Sequence, residues 1–295
     1  MRNREFKAGK RRLAGLWVLA VMAISPVLLF AVERLDFRPG FNLFSPAQDV
    51  EVGRKASSEV KSQLPLIRDA QVVRYVNDLG KRLATFAPNQ SDGVKYDWTF
   101  NVVNSSDINA FALPGGFIYV NRGAIEAAQD EAQIAGVLAH EEGHVVMRHG
   151  THQASQMVLV QAPLSILGGL LGQSSSLASQ LAQLGIGFGV NSILLRNSRS
   201  AESQADEVGT YILYQSGYDP YGMAQFFEII QKKYPQRTIQ FLSDHPNPGN
   251  RIQNVDAEIP KLGPKKDWKT DSPEFEAVKR RLQSMPPPPK PAPKK

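Results

Sequence analysis

Residues 130–150 read DEAQIAGVLAHEEGHVVMRHG, and the fold turns on how this stretch is read. Asp130 followed by Gln133 is a helix cap with its returning partner, and Ile134, Val137, Leu138 and Val145 recur at the spacing of a core-facing helical stripe. Arg148, His149 and Gly150 read as the last turn and its stop. On such a helix His140 and His144 lie on one face a turn apart, close enough for both imidazoles to reach one tetrahedral ion. Glu141 stands one position on, where its carboxylate meets a water on that ion and not the ion itself. A zinc ion lowers the pKa of such a water toward neutrality. A carboxylate within hydrogen-bond reach can then take its proton and pass it to a leaving amine. The same five-residue pattern also occurs on helices that bind nothing; the cap, stripe and stop around this one favour the metal reading.

A catalytic metal site needs a third protein ligand and an open fourth position. The chain has no cysteine, which excludes a thiolate site, a cysteine nucleophile and a disulfide framework. Glu202 lies 58 residues after His144, on a stretch from Ser200 to Gln215 that reads as helix and stops at Gly217. Asp206 is four residues further, on the same face. That spacing suits a ligand at Glu202 with an outer carboxylate at Asp206 that fixes a histidine tautomer. It suits a solvated helix face equally well, and spacing alone leaves the two open.

Upstream, Ser45-Pro46 with Gln48 is a capping box that starts a helix to about Gln63, and a second helix is expected from Asp69 to Leu83. Tyr96–Val103 alternates and is rich in aromatic and β-branched residues, as a strand is. Phe111–Leu113 and Phe117–Val120 flank Pro114-Gly115-Gly116, a hairpin-like pair. Downstream, Asp219-Pro220 reads as the start of a third helix. The apolar but glycine- and serine-broken stretch from Met157 to Leu195 is expected to form a helical hairpin on the core, with a membrane-interface element as the alternative. No repeat of fixed period is present.

The net charge of +6 and pI near 9.4 could suggest nucleic acid as a partner. The excess sits at the ends, at Arg2, Arg4, Lys7, Lys10, Arg11 and Arg12 and at Lys290, Lys294 and Lys295, so it describes termini and not a binding face. Neither nucleic acid nor a nucleotide cofactor is expected. Leu13–Val32 is a run of 20 residues without a charge, long enough to span a bilayer and lacking a small-x-small cleavage site. The expectation is an uncleaved single-pass anchor in the cytoplasmic membrane with everything after Glu33 exported; a cleaved signal and a free periplasmic protein is the alternative. The organisation expected is 1–33 basic end and anchor, 34–44 linker, 45–260 folded domain, and 261–295 a basic, proline-rich, flexible tail.

The run from His140 to His144, followed by Arg199-Ser-Ala-Glu202-Ser-Gln-Ala205-Asp206, resembles the gluzincin zinc metallopeptidases of the HtpX, BepA and CAAX-prenyl-protease family. So does the earlier NAFALPGGFIYV at 109–120, and the similarity covers about residues 45 to 260. The resemblance implies an α+β, mostly helical, zincin-like fold with a small antiparallel sheet over the active-site helix. It implies one zinc ion held by His140, His144 and Glu202, Glu141 as base, and Asp206 behind His140. It further implies that Asn109, Ala110, Phe111, Ala112 and Leu113 bind an extended polypeptide by edge-strand pairing. His245, in Ser243-Asp244-His245-Pro246, then becomes a reversible fourth ligand or an oxyanion donor, with Arg251 a weaker catalytic candidate. As a lone loop residue His245 reads equally well as a turn histidine. His149 and His152 are expected to be helix-end residues and not ligands. The activity implied is endoproteolysis of extended or misfolded envelope proteins. A membrane-anchored, chaperone-like client-binding factor is the alternative, and the intact Glu141 argues against it.

Overall fold

The computed structural model describes residues 37–88, 95–161, 187, 197–233, 240–246, 250–264 and 267–289. The expected anchor at 13–32 and most of the expected hairpin at 157–195 lie outside them. No helix among the described residues is long and apolar enough to cross a membrane.

Two capped helices open the described chain. α1 (Pro46–Gln63) carries the full Ser45/Gln48 capping box, and α2 (Ala70–Ala84) starts on the Asp69 side chain, which accepts from the amides of Gln71 and Val72. The buried residues of α2, Val72, Val76, Leu79 and Leu83, follow the helical period and form its core face. Next come β1 (Thr99–Val103), β2 (Ala110–Leu113) and β3 (Phe117–Asn121), then the short α3 (Arg122–Ala127). The tight β2–β3 turn places Gly115 and Gly116 at φ of 77° and 104°, a region that a side chain would resist.

The sheet order is β1-β3-β2, with β3 buried at every position. β2 pairs antiparallel with β3, as the hairpin signal predicts. β1 pairs parallel with β3, Thr99 opposite Phe117 through Val103 opposite Asn121, so the sheet is mixed and not antiparallel. The cause is topological: β2 reverses the chain, and β1 occupies the opposite edge of β3 and so runs the same way.

α4 (Glu131–Val146) is the axis of the molecule, and all 16 of its residues are buried. Its cap is the expected one, the Asp130 side chain accepting from the Gln133 amide. Its end is different. Met147 is the cap, Arg148 adopts φ 55°, and α5 (His149–Gln161) begins at once, with Gly150 inside it. A left-handed residue bearing a Cβ costs roughly 1–2 kcal/mol. Arg148 is held there by two bonds to the buried Asp49 carboxylate, at 2.6 and 3.0 Å, and a third to the Phe44 carbonyl.

α6 (Arg199–Ser216) lies against α4 and stops at Gly217 in the left-handed region. The two backbones nearly touch: a Cβ on Gly143 would stand 2.7 Å from the Ala205 carbonyl oxygen. That approach brings a side chain of α6 within reach of histidines on α4. α7 (Gly222–Lys233) starts two residues later than Pro220 suggests, because Asp219 caps a separate turn through the amides of Tyr221 and Gly222. A short α8 (Gln240–Asp244) and α9 (Arg251–Leu262) follow.

The segment read as a flexible tail is folded as far as α10 (Pro273–Ser284), whose Phe275, Val278 and Leu282 are buried in the main core. Arg122 ties its end down by donating to the carbonyls of Leu282 and Pro286 at 2.6 and 2.7 Å. The folded unit therefore extends well past residue 260.

Candidate metal centre

The site forms where α4, α6 and α8 meet. His140 and His144 point from α4, Glu202 from the first turn of α6, and His245 from the residue after α8, all four buried. One donor atom from each lies within 4.8 Å of the others. His140 Nε2 is 3.0 Å from His144 Nε2 and 3.3 Å from His245 Nδ1. The Glu202 carboxylate lies 3.3 Å from each of the α4 histidine nitrogens and 3.1 Å from His245 Nδ1. Three imidazole nitrogens and a carboxylate aimed at one point form the N/O donor set of a tetrahedral divalent cation.

Charge tells the same story. Burial pushes His140 down, but the Glu202 and Asp206 carboxylates outweigh it and lift its pKa from 6.5 to about 9. Burial likewise opposes protonation of His245, and Glu202 and Glu141 overcome it. Burial would raise Glu202, yet the His245 and His140 charges and the hydrogen bonds from His140 and His144 hold it well below the carboxylate range. His144 goes the other way, burial holding its pKa well below the usual histidine value, so the carboxylates favour protonation of two of the three histidines.

Around this centre the expected residues fall as follows. Asp206 Oδ1 is 2.9 Å from His140 Nδ1, behind the nitrogen that faces the centre. Arg251 is bonded to Asp206 and, at 3.1 Å, to Glu202 Oε2, the oxygen that also faces His140, with its guanidinium 3.6 Å above the Phe227 ring. It holds the two carboxylates and is not among the residues lining the cleft. Glu141 is buried beside the cluster; its Oε1 lies 3.4 Å from His245 Nε2 but makes no hydrogen bond. Burial pushes its carboxyl up. Glu142, on the same helix, is fully buried with no hydrogen-bond partner for either oxygen among the described residues, and burial raises it well above its usual value.

A small cleft reaches Glu141 and His144, lined by Phe111, Ala112 and Leu113 of β2 and by His245. β2 is an outer strand of the sheet, and its Ala110 carbonyl is 3.4 Å from His245 Nε2. Asn109 acts as a latch: its side chain donates to Asp244 at 3.2 Å, tying the strand to the loop that carries His245.

Two residues of the site were not singled out by the sequence. Asn197 brings its Nδ2 within 3.4 Å of His144 Nε2; it lies just before the α6 cap, a place no motif marks. His149, expected to be a helix-end residue, is outside the convergent group but bonds to His144, Nδ1 to Nδ1 at 2.8 Å. Burial lowers its pKa to about 4. His152, in keeping with expectation, stays apart and bonds to the Phe41 carbonyl.

The family model described as Peptidase family M48 matches residues 70–259. This chain belongs to that family. The chain is 30% identical to the beta-barrel assembly-enhancing protease of Escherichia coli over 261 residues, 85% of this chain and 52% of the relative. It is 30% identical to the mitochondrial metalloendopeptidase OMA1 of Schizosaccharomyces pombe over 65% of this chain and 55% of that one. It matches metalloprotease LoiP of Escherichia coli at 30% over 72% of this chain and 80% of the relative. The chain thus spans about half the length of the first two. The M48 match contains both His140–His144 and Glu202–Asp206, the two segments whose side chains converge.

Proposed function

We propose that this chain is a zinc-dependent endopeptidase acting on extended or misfolded polypeptides of the cell envelope. The observation that carries the proposal is the convergence of His140, His144 and Glu202 on one point with the Glu141 carboxylate beside it. The M48 relatives bear the names of proteases, which supports hydrolysis as the chemistry.

On this reading His140, His144 and Glu202 hold one zinc ion. When bound, zinc supplies Lewis acidity, polarising the scissile carbonyl and making water acidic enough to lose a proton near neutral pH. Glu141 takes that proton and returns it to the departing amine nitrogen, a task suited to a carboxyl whose pKa burial has raised. Asp206 fixes His140 with Nε2 toward the centre, and Arg251 steadies Asp206 and Glu202 together. His245 has Nδ1 toward the same centre and Nε2 toward Glu141, so it would serve either as a fourth donor to the metal or as a donor to the developing oxyanion. The outer edge of β2 takes up the substrate backbone as an added strand, which requires an extended segment and favours unfolded clients.

The 20-residue apolar run at 13–32 supports a single-pass anchor that holds the peptidase on the outer side of the cytoplasmic membrane. Amino-terminal sequencing that begins beyond residue 30 would replace the anchor with a cleaved signal. For the activity, the test is purified protein on denatured casein, stripped with a chelator and then titrated with zinc. The expected result is cleavage that vanishes on stripping and returns near one equivalent. Cleavage that survives complete removal of metal would exclude the mechanism.

A further inference from the structure

We infer that His149 is a positioning residue that fixes the protonation pattern of the ligand His144, by accepting a hydrogen bond from its outer nitrogen. The inference rests on the proposed metal reading. It starts from a proton count along three side chains. His144 turns Nε2 toward Glu202 and His140, so Nε2 must offer a lone pair for a metal to be held. A neutral imidazole carries its one proton on the other nitrogen, and His144 is therefore the Nδ1–H form. That N–H points at His149 Nδ1, 2.8 Å away. His149 Nδ1 must then accept, which leaves the His149 proton on Nε2. His149 Nε2 faces Gln204 Oε1 at 3.0 Å, and a carbonyl oxygen can only accept. With His144 Nε2 kept free for a metal and the Gln204 oxygen facing His149, every donor meets an acceptor along the relay.

The backbone explains how a residue five positions after His144 can do this. On an unbroken helix five residues rotate by roughly 140° away from the starting side chain. Here Arg148 at φ 55° breaks the path between α4 and α5, and the first residue of α5 swings back onto His144. The break is pinned by Asp49 of α1 through the Arg148 guanidinium. The two α4 ligands thus receive different outer partners: His140 has a carboxylate, Asp206, and His144 has a neutral imidazole backed by an amide. Outer partners of this kind orient ligands and typically change metal affinity or activity by about 10–100-fold when removed.

The test compares two replacements. His149→Phe keeps a ring but removes the acceptor; His149→Asn places a carbonyl oxygen near the position of Nδ1 and keeps it. With competing chelator as the readout, zinc affinity should fall about 10–100-fold for His149→Phe and recover to within a few-fold of parent for His149→Asn. Melting of both metal-free variants reports any purely structural loss. Equal affinities for His149→Phe and parent, or equal losses in both variants, would overturn the inference. Should His149→Phe fail to fold, the nitrogen-15 shifts of His149 in the zinc-loaded parent decide the matter. A proton on His149 Nε2 with Nδ1 bare supports the relay, and a proton on His149 Nδ1 ends it. These shifts do not depend on proteolysis, so a wrong relay leaves the peptidase reading standing; a parent that binds no zinc at all sinks both.

Discussion

α4 carries a buried acidic site at each end, and the two are built on opposite plans. At its first residue, Glu131 meets Lys269 at 2.5 Å, Arg82 at 3.8 Å and the Tyr75 hydroxyl at 3.2 Å. One buried carboxylate is answered there by two cations whose own side chains are nearly half exposed. At the other end Glu202, Asp206, Glu141 and three histidines crowd together with Arg251 as the arginine among them. The first cluster pairs one carboxylate with cations of the protein itself. The second gathers imidazole nitrogens and a carboxylate around one point, a donor set that fits a metal ion. A buried acid is thus no sign of a site by itself; what distinguishes the metal centre is that the donors face one another.

If that contrast is right, substitutions should act on metal at one end and on stability at the other. The largest effect belongs to Glu202→Ala, which removes a ligand and should leave the protein without zinc after mild chelation, as metal analysis would show. Next is Glu141→Gln, which should lower kcat on denatured casein by about 10²–10⁴-fold while zinc content and melting stay at parental values. Undiminished turnover would mean that another group serves as base. Asp206→Ala should weaken zinc by about 10–100-fold, clearly less than Glu202→Ala. Similar, near-parental affinities for both would place the third ligand elsewhere, with His245 the first residue to examine. The smallest effect on chemistry is expected at the opposite end. Glu131→Gln leaves Arg82 and Lys269 free to rehydrate, so it should cost about 1–2 kcal/mol, a shift of a few degrees in Tm, with zinc affinity unchanged. A drop in zinc affinity there would erase the distinction between the two clusters.

The clustering of these side chains was legible because its periods are local. His140 and His144 are four residues apart, as are Glu202 and Asp206, and four residues on a helix is one face whatever surrounds it. The resemblance carried by His140–His144, residues 109–120 and Arg199–Asp206 was needed to choose Glu202 over a solvated face, since spacing says nothing about what lies opposite. His149 is at a helix end and outside the convergent group, in keeping with expectation, but its contact with His144 was invisible because a helical wheel assumes an unbroken helix and the break sits at Arg148. The parallel pairing of β1 was invisible for a related reason: alternation shows which face is buried but not which strand lies alongside. α10 was read as tail because lysine, arginine and proline dominate its surroundings. Phe275, Val278 and Leu282 nevertheless fall at intervals of three and four residues and fill one stripe.

The length of β2 is a ruler. Its four residues span only about 14 Å at the rise of an extended chain. A client that pairs with this edge therefore needs to expose a stretch of that order and not a whole unfolded domain. A frayed terminus, a loop left open by a missing partner or a strand that has lost its neighbour would suffice. A shortened peptide series should show catalytic efficiency collapsing when the extended portion drops below about four residues on the strand-facing side. The same brevity protects the protein itself, because an edge of four residues offers little template for pairing between copies.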